Sequence, residues 1–354
     1  MKMFSKLTSL AVALTMTLSL AACGGAAKPA ETAKPAEEKK AEAAAPAEQK
    51  KEDKAGKKIV VGFAQIGAES EWRTANTKSI KEACEKAGFE LKFSDAQQKQ
   101  ENQIKAIRSF IAQKVDYIAL APVVETGWDT VLKEVADAKI PLILVDRSVK
   151  TSDGKDDLWV TRVGENFYQE GVDLATWVKT NEEKLGFKDK AAVNVYQLEG
   201  TVGSGAAVDR GKAWADTMKD SKFKTVKSQT GDFTRAKGQE VMESWLKSDK
   251  GKIDLVYAHN DDMALGAISA IEAAGLKPGV DIKIVSVDGV KGAFEAMIAG
   301  KLNCVAECSP LTGPKLVETI NDLAAGKQVP KLTYAKEGVF PADKAAEVLP
   351  SRQY

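Results

Sequence analysis

From Lys58 onward, short unbroken apolar runs alternate with polar loops and with stretches whose apolar residues recur three and four apart. An apolar run without polar alternation reads as a strand buried on both faces of a parallel sheet. Three-and-four spacing reads as a helix with one buried face. The clearest run is PLILVDRS, 141–148, in which Leu142 to Val145 stop abruptly at Asp146 and Arg147. A second run, IKIVSVDG at 282–289, also ends on an aspartate, Asp288. Before PLILVDRS the pattern predicts strands over 59–63, 89–93 and 117–120. Helices separate them over 73–87, 98–113 and 127–138. Ile80, Ala83, Cys84 and Ala87 share a face of the first helix, which Gly88 stops; Ile104, Ile107, Phe110 and Ile111 share a face of the second.

After the polar connection TSDGKDD come a strand at 158–163 and a helix at 167–180, and then the series begins again. Strands are predicted over 192–198, 225–229, 255–258 and 282–287, with helices over 206–218, 234–246 and 261–274 between them. A helix to about 299, a strand over 303–306 and a helix over 313–325 close the series. The fold class is α/β: strand–helix alternation implies parallel sheets with right-handed crossovers. Two doubly wound lobes of like build are the simplest account.

The repeat makes the loops at the carboxyl ends of the strands comparable, and ligands bind beyond those ends in open α/β sheets. AQIGAESEWR stands where EGTVGSGAAVDR stands, DAQQKQEN where TGDFTRAK stands, APVVETG where AHNDDMALG stands, and VDRS where VDGV stands. These loops collect Glu69, Arg73, Asp146, Arg147, Arg210, Asn260 and Asp288, with the rings of Trp72 and Phe233. Carboxylates and amides bridge vicinal hydroxyls, a guanidinium donates two parallel bonds, and a ring covers an apolar C–H face. That inventory suits a sugar.

Each member has a plainer reading. Asp146 and Arg147 would form an ordinary strand-end ion pair, Asp288 before Gly289 would start a turn, and Asn260 before two aspartates would cap a helix. Trp72 would pack into the sheet, and Arg210 and Arg235 would be exposed helix residues. His259 reads as structural, not catalytic.

Composition narrows the classes. Lysine plus arginine, 51, and aspartate plus glutamate, 50, nearly cancel, which argues against a nucleic-acid binder. A single histidine cannot make a multi-histidine metal site. No G-x-S-x-G elbow with a histidine partner and no P-loop occurs. The glycine-rich GTVGSG at 200–205 lacks dinucleotide spacing and the P-loop lysine, and reads as a tight turn. Carboxylate pairs keep a glycosidase open on residue types alone. Nothing calls for a cofactor or a metal.

The amino end changes the picture of where the chain works. Lys2 and Lys6 precede an apolar run, 7–18, which meets Leu-Ala-Ala-Cys at 20–23. That is the anatomy of an export signal, 1–22, and the run is short for a permanent membrane span. Cys23 after small residues resembles a bacterial lipobox, making Cys23 the lipidated first residue of the mature chain. An ordinary secretory signal with an incidental cysteine is the alternative. Residues 26–57 hold no large apolar side chain and read as a disordered, mixed-charge tether, so the leader gives way to a lipidated tether over 23–57. Cys84, Cys304 and Cys308 remain. The last two, if they share a strand, lie about 13 Å apart, so all three read as buried, reduced thiols.

Long runs of the folded part, about 57–350, resemble the periplasmic sugar-binding proteins of the ribose and galactose class that serve ABC importers, and most nearly their galactofuranose-binding branch. The resemblance is carried by VGFAQIGAESEWR, QQKQENQIKAIRSFIAQKVDYIALAPVVETGW, PLILVDRS, LEGTVGSGAAVDR, SQTGDFTRAKGQEVMES, VYAHNDDMALGAI and SVDG. It implies the type I periplasmic binding protein fold, with a three-stranded hinge crossing near Gly164, Glu307 and Lys336. The amino-terminal lobe would then be 57–164 plus 308–336, and the carboxyl-terminal lobe 165–307 plus 337–354. Glu69, Ser70, Trp72, Arg73, Asp146 and Arg147 would meet the sugar from the first lobe, and Arg210, Phe233, Asn260, Asp288 and Glu307 from the second.

The implied activity is non-enzymatic. A monomer, lipid-anchored outside the cytoplasmic membrane, would capture a monosaccharide by hinge closure and dock on an ABC permease. Ribose-binding relatives carry paired Phe where this chain has Trp72-Arg73 and an Arg at Val208, which favours a furanose such as galactofuranose. Glu71 stands at a position that is small in the nearest branch. The same fold admits a sugar or autoinducer receptor signalling to a membrane kinase or chemoreceptor. It also admits repressors of the LacI type, against which stand the export signal and the missing amino-terminal helix-turn-helix.

Overall fold

A computed structural model of the protein describes residues 58–354; the signal, Cys23 and the tether lie outside the described residues. The first half lays down β1 (Val60–Gln65), α1 (Glu71–Lys86), β2 (Glu90–Asp95), α2 (Gln100–Ala112), β3 (Tyr117–Leu120), α3 (Asp129–Asp137), β4 (Leu142–Val145) and β5 (Thr161–Gly164). After α4 (Phe167–Thr180) the series repeats as β6 (Val193–Glu199), α5 (Gly205–Met218), β7 (Phe223–Thr230), α6 (Arg235–Asp249), β8 (Leu255–Ala258), α7 (Asp261–Ala273) and β9 (Lys283–Asp288). The chain closes with α8 (Lys291–Ile298), β10 (Cys304–Glu307), α9 (Gly313–Ala324), β11 (Leu332–Tyr334), β12 (Val339–Pro341) and α10 (Ala345–Val348).

Two six-stranded sheets result, ordered β2-β1-β3-β4-β5-β11 and β7-β6-β8-β9-β10-β12. Within each, the first five strands follow the same order, and every pairing is parallel except β10 with β12. Each sheet therefore has a topological switch point, beside β1 in one and β6 in the other. All residues of β3, β4 and β8 are buried, as uninterrupted apolar runs require when helices cover both faces. In β4 the period of two is visible in the packing. Leu142 and Leu144 join the cluster containing Ile107, Phe110, Trp128 and Leu132. Ile143 and Val145 join the opposite cluster, with Ile80, Leu316 and Ile320. Edge strand β7 is mostly exposed and carries Lys224 and Lys227, which discourage edge pairing.

The chain passes between the sheets three times: from β5 into α4, from β10 into α9, and from β11 into β12. Helix α9 packs on α1 of the first lobe, and α4 packs on α5 and β10 of the second. Two details differ from the sequence pattern. The strand read over 158–163 begins only at Thr161, because Leu158 and Trp159 are drawn instead onto the α2–α3 side of the first sheet. Strands β11 and β12 were not foreseen; three residues each, they are too short for a periodic signal. Cys84, Cys304 and Cys308 are buried and unpaired, and burial pushes the Cys84 thiol up to about 11.

Candidate functional site

The carboxyl ends of the two sheets face one cavity, lined by Glu69, Ser70, Trp72, Arg73, Asp146 and Arg147 from the first lobe, by Phe167, Ala206, Arg210, Phe233, Asn260 and Asp288 from the second, and by Cys308 at the crossing between them. The loop after β1 and the first turn of α1 deliver Glu69 through Arg73. Ser70 caps α1, its hydroxyl accepting from the Arg73 amide at 3.1 Å. Asn260 caps α7, its Oδ1 accepting from the Met263 amide at 3.0 Å while its Nδ2 donates to the Phe233 carbonyl at 3.0 Å. Both caps also line the cavity, so the capping and cavity readings of Asn260 hold together.

Three of the cavity residues occupy the left-handed region: Asp146 at φ 64°, Phe233 at 61° and Asp288 at 131°. Such conformations cost about 1–3 kcal/mol each and persist where surroundings over-determine them. For Asp146 those surroundings are its amide on the Val163 carbonyl at 2.8 Å and its own carbonyl, which accepts from Arg162 Nη1 at 2.9 Å. Gly164 leaves the needed room, since a Cβ there would sit 2.5 Å from the Asp146 carbonyl oxygen. Gly200 does the same for Phe233, whose ring occupies the space a Cβ would take. The GTVGSG segment is accordingly a turn, with Gly203 at φ 80°.

Three carboxyl groups and three guanidinium groups face one another inside the cavity. Arg73 is the hub of the first lobe: Nη2 donates to Asp146 Oδ2 at 2.6 Å and Nε to Glu69 Oε1 at 3.0 Å. Burial works against its charge, but Asp146 and then Glu69 outweigh burial and its pKa is raised. Arg147 donates Nη1 to the Val123 carbonyl at 3.0 Å; burial, then the nearby Arg73 charge, lowers its pKa to about 10. Arg210 is buried too, with Nε on Glu170 at 2.7 Å, Nη1 on the His259 carbonyl at 2.6 Å and Asp288 at 3.8 Å. Burial raises the Asp288 pKa well above the carboxylate range, and Arg210 offsets this only in part.

Each guanidinium also lies over a ring: Arg73 over Trp72 at 4.5 Å, Arg147 over Phe233 at 5.1 Å and Arg210 over Phe167 at 5.3 Å. These cation–π pairs add attraction along the cavity walls. Against this network of satisfied groups, Glu69 Oε2, Arg147 Nε and Asp288 Oδ2 are buried without a hydrogen-bond partner. Unpaired buried polar atoms are costly. Two acceptors and a donor on residues of one cavity form a set that neighbouring hydroxyls would satisfy.

Ten of the eleven residues singled out from strand ends and from the resemblance line this cavity, and Glu307 does not. Its carboxylate meets Arg352 at 2.5 Å, and it borders a separate recess with Asn166, Gln169, Glu170 and Glu337. The antiparallel β12 and the carboxyl-terminal residues beyond it draw it there, and no local pattern announced either. Phe167, Ala206 and Cys308 went unnamed. Cys308 directly follows the end of β10, so the strand-end rule would have reached it had β10 been included in the loop comparison. Arg210 is buried, unlike the exposed helix residue it resembled, and Trp72 packs into the apolar cluster of the second lobe, not its own. From there its indole N–H donates to the Cys308 carbonyl at 2.7 Å.

His259 is buried at the end of β8 with its ring 4.9 Å from Tyr257. Burial, then Arg210, pushes its pKa to about 3, so it is a neutral core residue. Among the described residues one group has metal-ligand spacing, Glu170, Cys308 and Glu337, with ligand atoms within 4.8 Å of one another. Arg210 already holds Glu170, and burial raises the Cys308 thiol well above its ordinary value, so this donor set suits shared protons better than a cation.

A family model described as "Periplasmic binding protein domain" matches residues 60–328. The galactofuranose-binding protein YtfQ of Escherichia coli is 46% identical over 300 residues, covering 83% of this chain and 92% of that protein. A Mycobacterium smegmatis protein crystallised in complex with β-D-fucofuranose superposes with a TM-score of 0.79 at 49% identity, covering 84% of this chain and 95% of the other. The periplasmic component of an arabinose ABC transporter from Shewanella sp. ANA-3, bound to α- and β-L-arabinofuranose, gives 0.77 at 46% identity, with coverage of 83% and 95%.

Proposed function

The chain belongs to the periplasmic binding protein family, and from that premise we propose that it captures a furanose monosaccharide, galactofuranose foremost, between its lobes and delivers it to an ABC importer. The observation that carries the reading is the trio of buried atoms without a hydrogen bond, Glu69 Oε2, Arg147 Nε (which has only a long ion pair to Asp146 at 3.7 Å) and Asp288 Oδ2, beside aromatic walls. Hydroxyls, each donor and acceptor at once, would complete those bonds. Trp72, Phe167 and Phe233 would cover the C–H face. Relatives whose names or bound ligands are furanoses support the choice of ring size.

In this reading Asp146 acts through Arg73 and the cavity hydroxyls, and Asp288 opposes it from the other lobe. No residue performs covalent chemistry; the site binds and releases. Closure around the sugar would present the joined lobes to a permease, and acylation of Cys23 would hold the receptor at the outer face of the membrane. Among the described residues no helix is long and apolar enough to cross a membrane.

A thermal-shift screen of the mature protein against D-galactose, L-arabinose, D-fucose, D-fructose, D-ribose, furanosides and polyols tests the proposal. A ligand present at one hundred times its Kd stabilises the native state by about 2.7 kcal/mol. Furanose-forming sugars should raise the melting temperature and be recovered unchanged. A shift produced only by another ligand class, or release of a hydrolysis product, would sink it.

A further inference from the structure

We infer that Glu71, Arg235 and Asp262 form an interlobe latch that sets how long the cleft stays shut on its ligand; the inference rests on the receptor reading above and deepens it. Glu71 opens α1 in the first lobe, whereas Arg235 opens α6 and Asp262 lies in the first turn of α7 in the second. None of the three lines the cavity.

The first amides of a helix have no acceptor within it. In α1 the Ser70 hydroxyl satisfies the Arg73 amide. The Glu71 amide donates across the cleft to Asp262 Oδ2 at 2.7 Å. A carboxylate of one lobe therefore caps a helix of the other, where the helix dipole favours negative charge. Arg235 closes the triangle, with Nη2 2.7 Å from Glu71 Oε1 and 3.1 Å from Asp262 Oδ1. One guanidinium thus ties a carboxylate on each side of the cleft.

Opening the lobes must break every bond of this set between α1 and the second lobe. The lobes also meet elsewhere, at Trp72 on the Cys308 carbonyl and at the Glu125 amide on the Gly203 carbonyl. Those are neutral hydrogen bonds. The triangle is charged and partly open to solvent, so it makes closure sensitive to ionic strength. Its site also explains why it acts on rate more than on fold. Glu71 and Arg235 side chains are 50% and 45% exposed, so water replaces their partners readily once the cleft opens. Asp262, at 6% exposed, is the anchored member. Exposed pairs of this kind are worth enough to change a rate by a few-fold, not by orders of magnitude. A glutamate at position 71, at the mouth of the cleft, therefore tunes residence time without touching the sugar.

Stopped-flow tryptophan fluorescence at low salt, with D-galactose and L-arabinose as probes, tests the latch. Glu71→Ala and Arg235→Ala should each speed sugar release about threefold, and the double variant should release no faster than the faster single, because both break one network. Glu71→Gln should behave like Glu71→Ala, a check that the charge and not the shape is responsible. At 0.5 M salt the parent should approach the variants. Release at the parental rate in both single variants, or effects that simply add, would overturn the latch while leaving the receptor reading intact. A parent that responds to neither sugar overturns the receptor reading, and the latch with it.

Discussion

Trp72 offers the sharpest test of how closure and binding are linked, because it sits on a helix of one lobe and in the apolar cluster of the other. A tryptophan buries about 150–250 Å² of surface, which at about 25 cal/mol per Å² amounts to about 4–6 kcal/mol. Part of that burial is against its own lobe, where the Arg73 guanidinium covers the ring at 4.5 Å. Roughly half the area, about 2–3 kcal/mol, belongs to the interlobe contact, and the bond to the Cys308 carbonyl adds about 1 kcal/mol. Trp72→Ala should therefore weaken sugar binding by about 3 kcal/mol, roughly 150-fold, read by titration calorimetry. Trp72→Phe keeps a ring and loses the N–H, and should cost about fivefold. The melting temperature of the ligand-free protein should fall far less than in Ile80→Ala, which empties a core site buried within the first lobe. Affinity falling less than about tenfold, or ligand-free stability falling as far as in Ile80→Ala, would refute the reasoning.

Two further predictions concern charge. Asp146→Asn keeps the shape and tolerates the left-handed backbone, yet removes one of the two carboxylate charges that face Arg73 in a buried site. Losing one member of a buried pair costs about 3–5 kcal/mol, so sugar binding should become undetectable by calorimetry while circular dichroism still reports a folded chain; retained affinity would remove Asp146 from the site. At the crossings between the lobes, burial and then Glu170 raise the Glu337 pKa to about 9, and burial raises Glu165 as well. A raised carboxyl pKa means the folded state holds an extra proton, so its stabilisation is complete below about pH 4.5 and is lost as pH climbs toward 9. Glu337→Gln should accordingly be more stable than the parent at pH 8, with a flatter melting-temperature profile; a profile parallel to the parent's across pH 4–9 would contradict the assignment.

Much of the strand ladder was legible because burial on both faces leaves a mark that needs no partner to be seen. LILV at 142–145 cannot sit in water on either side, and in the fold its alternate residues enter two different clusters. The strand-end rule then brought Asp146, Arg147, Asn260 and Asp288 forward, because a parallel sheet places all its carboxyl ends together. What escaped was set by contacts distant in sequence. β11 and β12 are held by pairing with β5 and β10, with too few residues to carry a period of their own. Glu307, which the family resemblance alone placed in the site, is held elsewhere by Arg352, 45 residues on. Phe167 and Ala206 reach the cavity from the first turns of α4 and α5, where a ring or a methyl group gives no chemical signal.

By itself, then, the sequence determined the α/β class, the doubled series of strands and the polar, ring-flanked character of the loops, since each follows from local periodicity and side-chain chemistry. Tertiary structure decided which lobe each side chain serves. Trp72 crosses to the far core, Asp262 caps a helix that is not its own, and Glu69, Arg147 and Asp288 are each left with one atom without a hydrogen bond. Those outcomes depend on the angle at which two rigid lobes meet, and residues brought together across a cleft share no spacing along the chain.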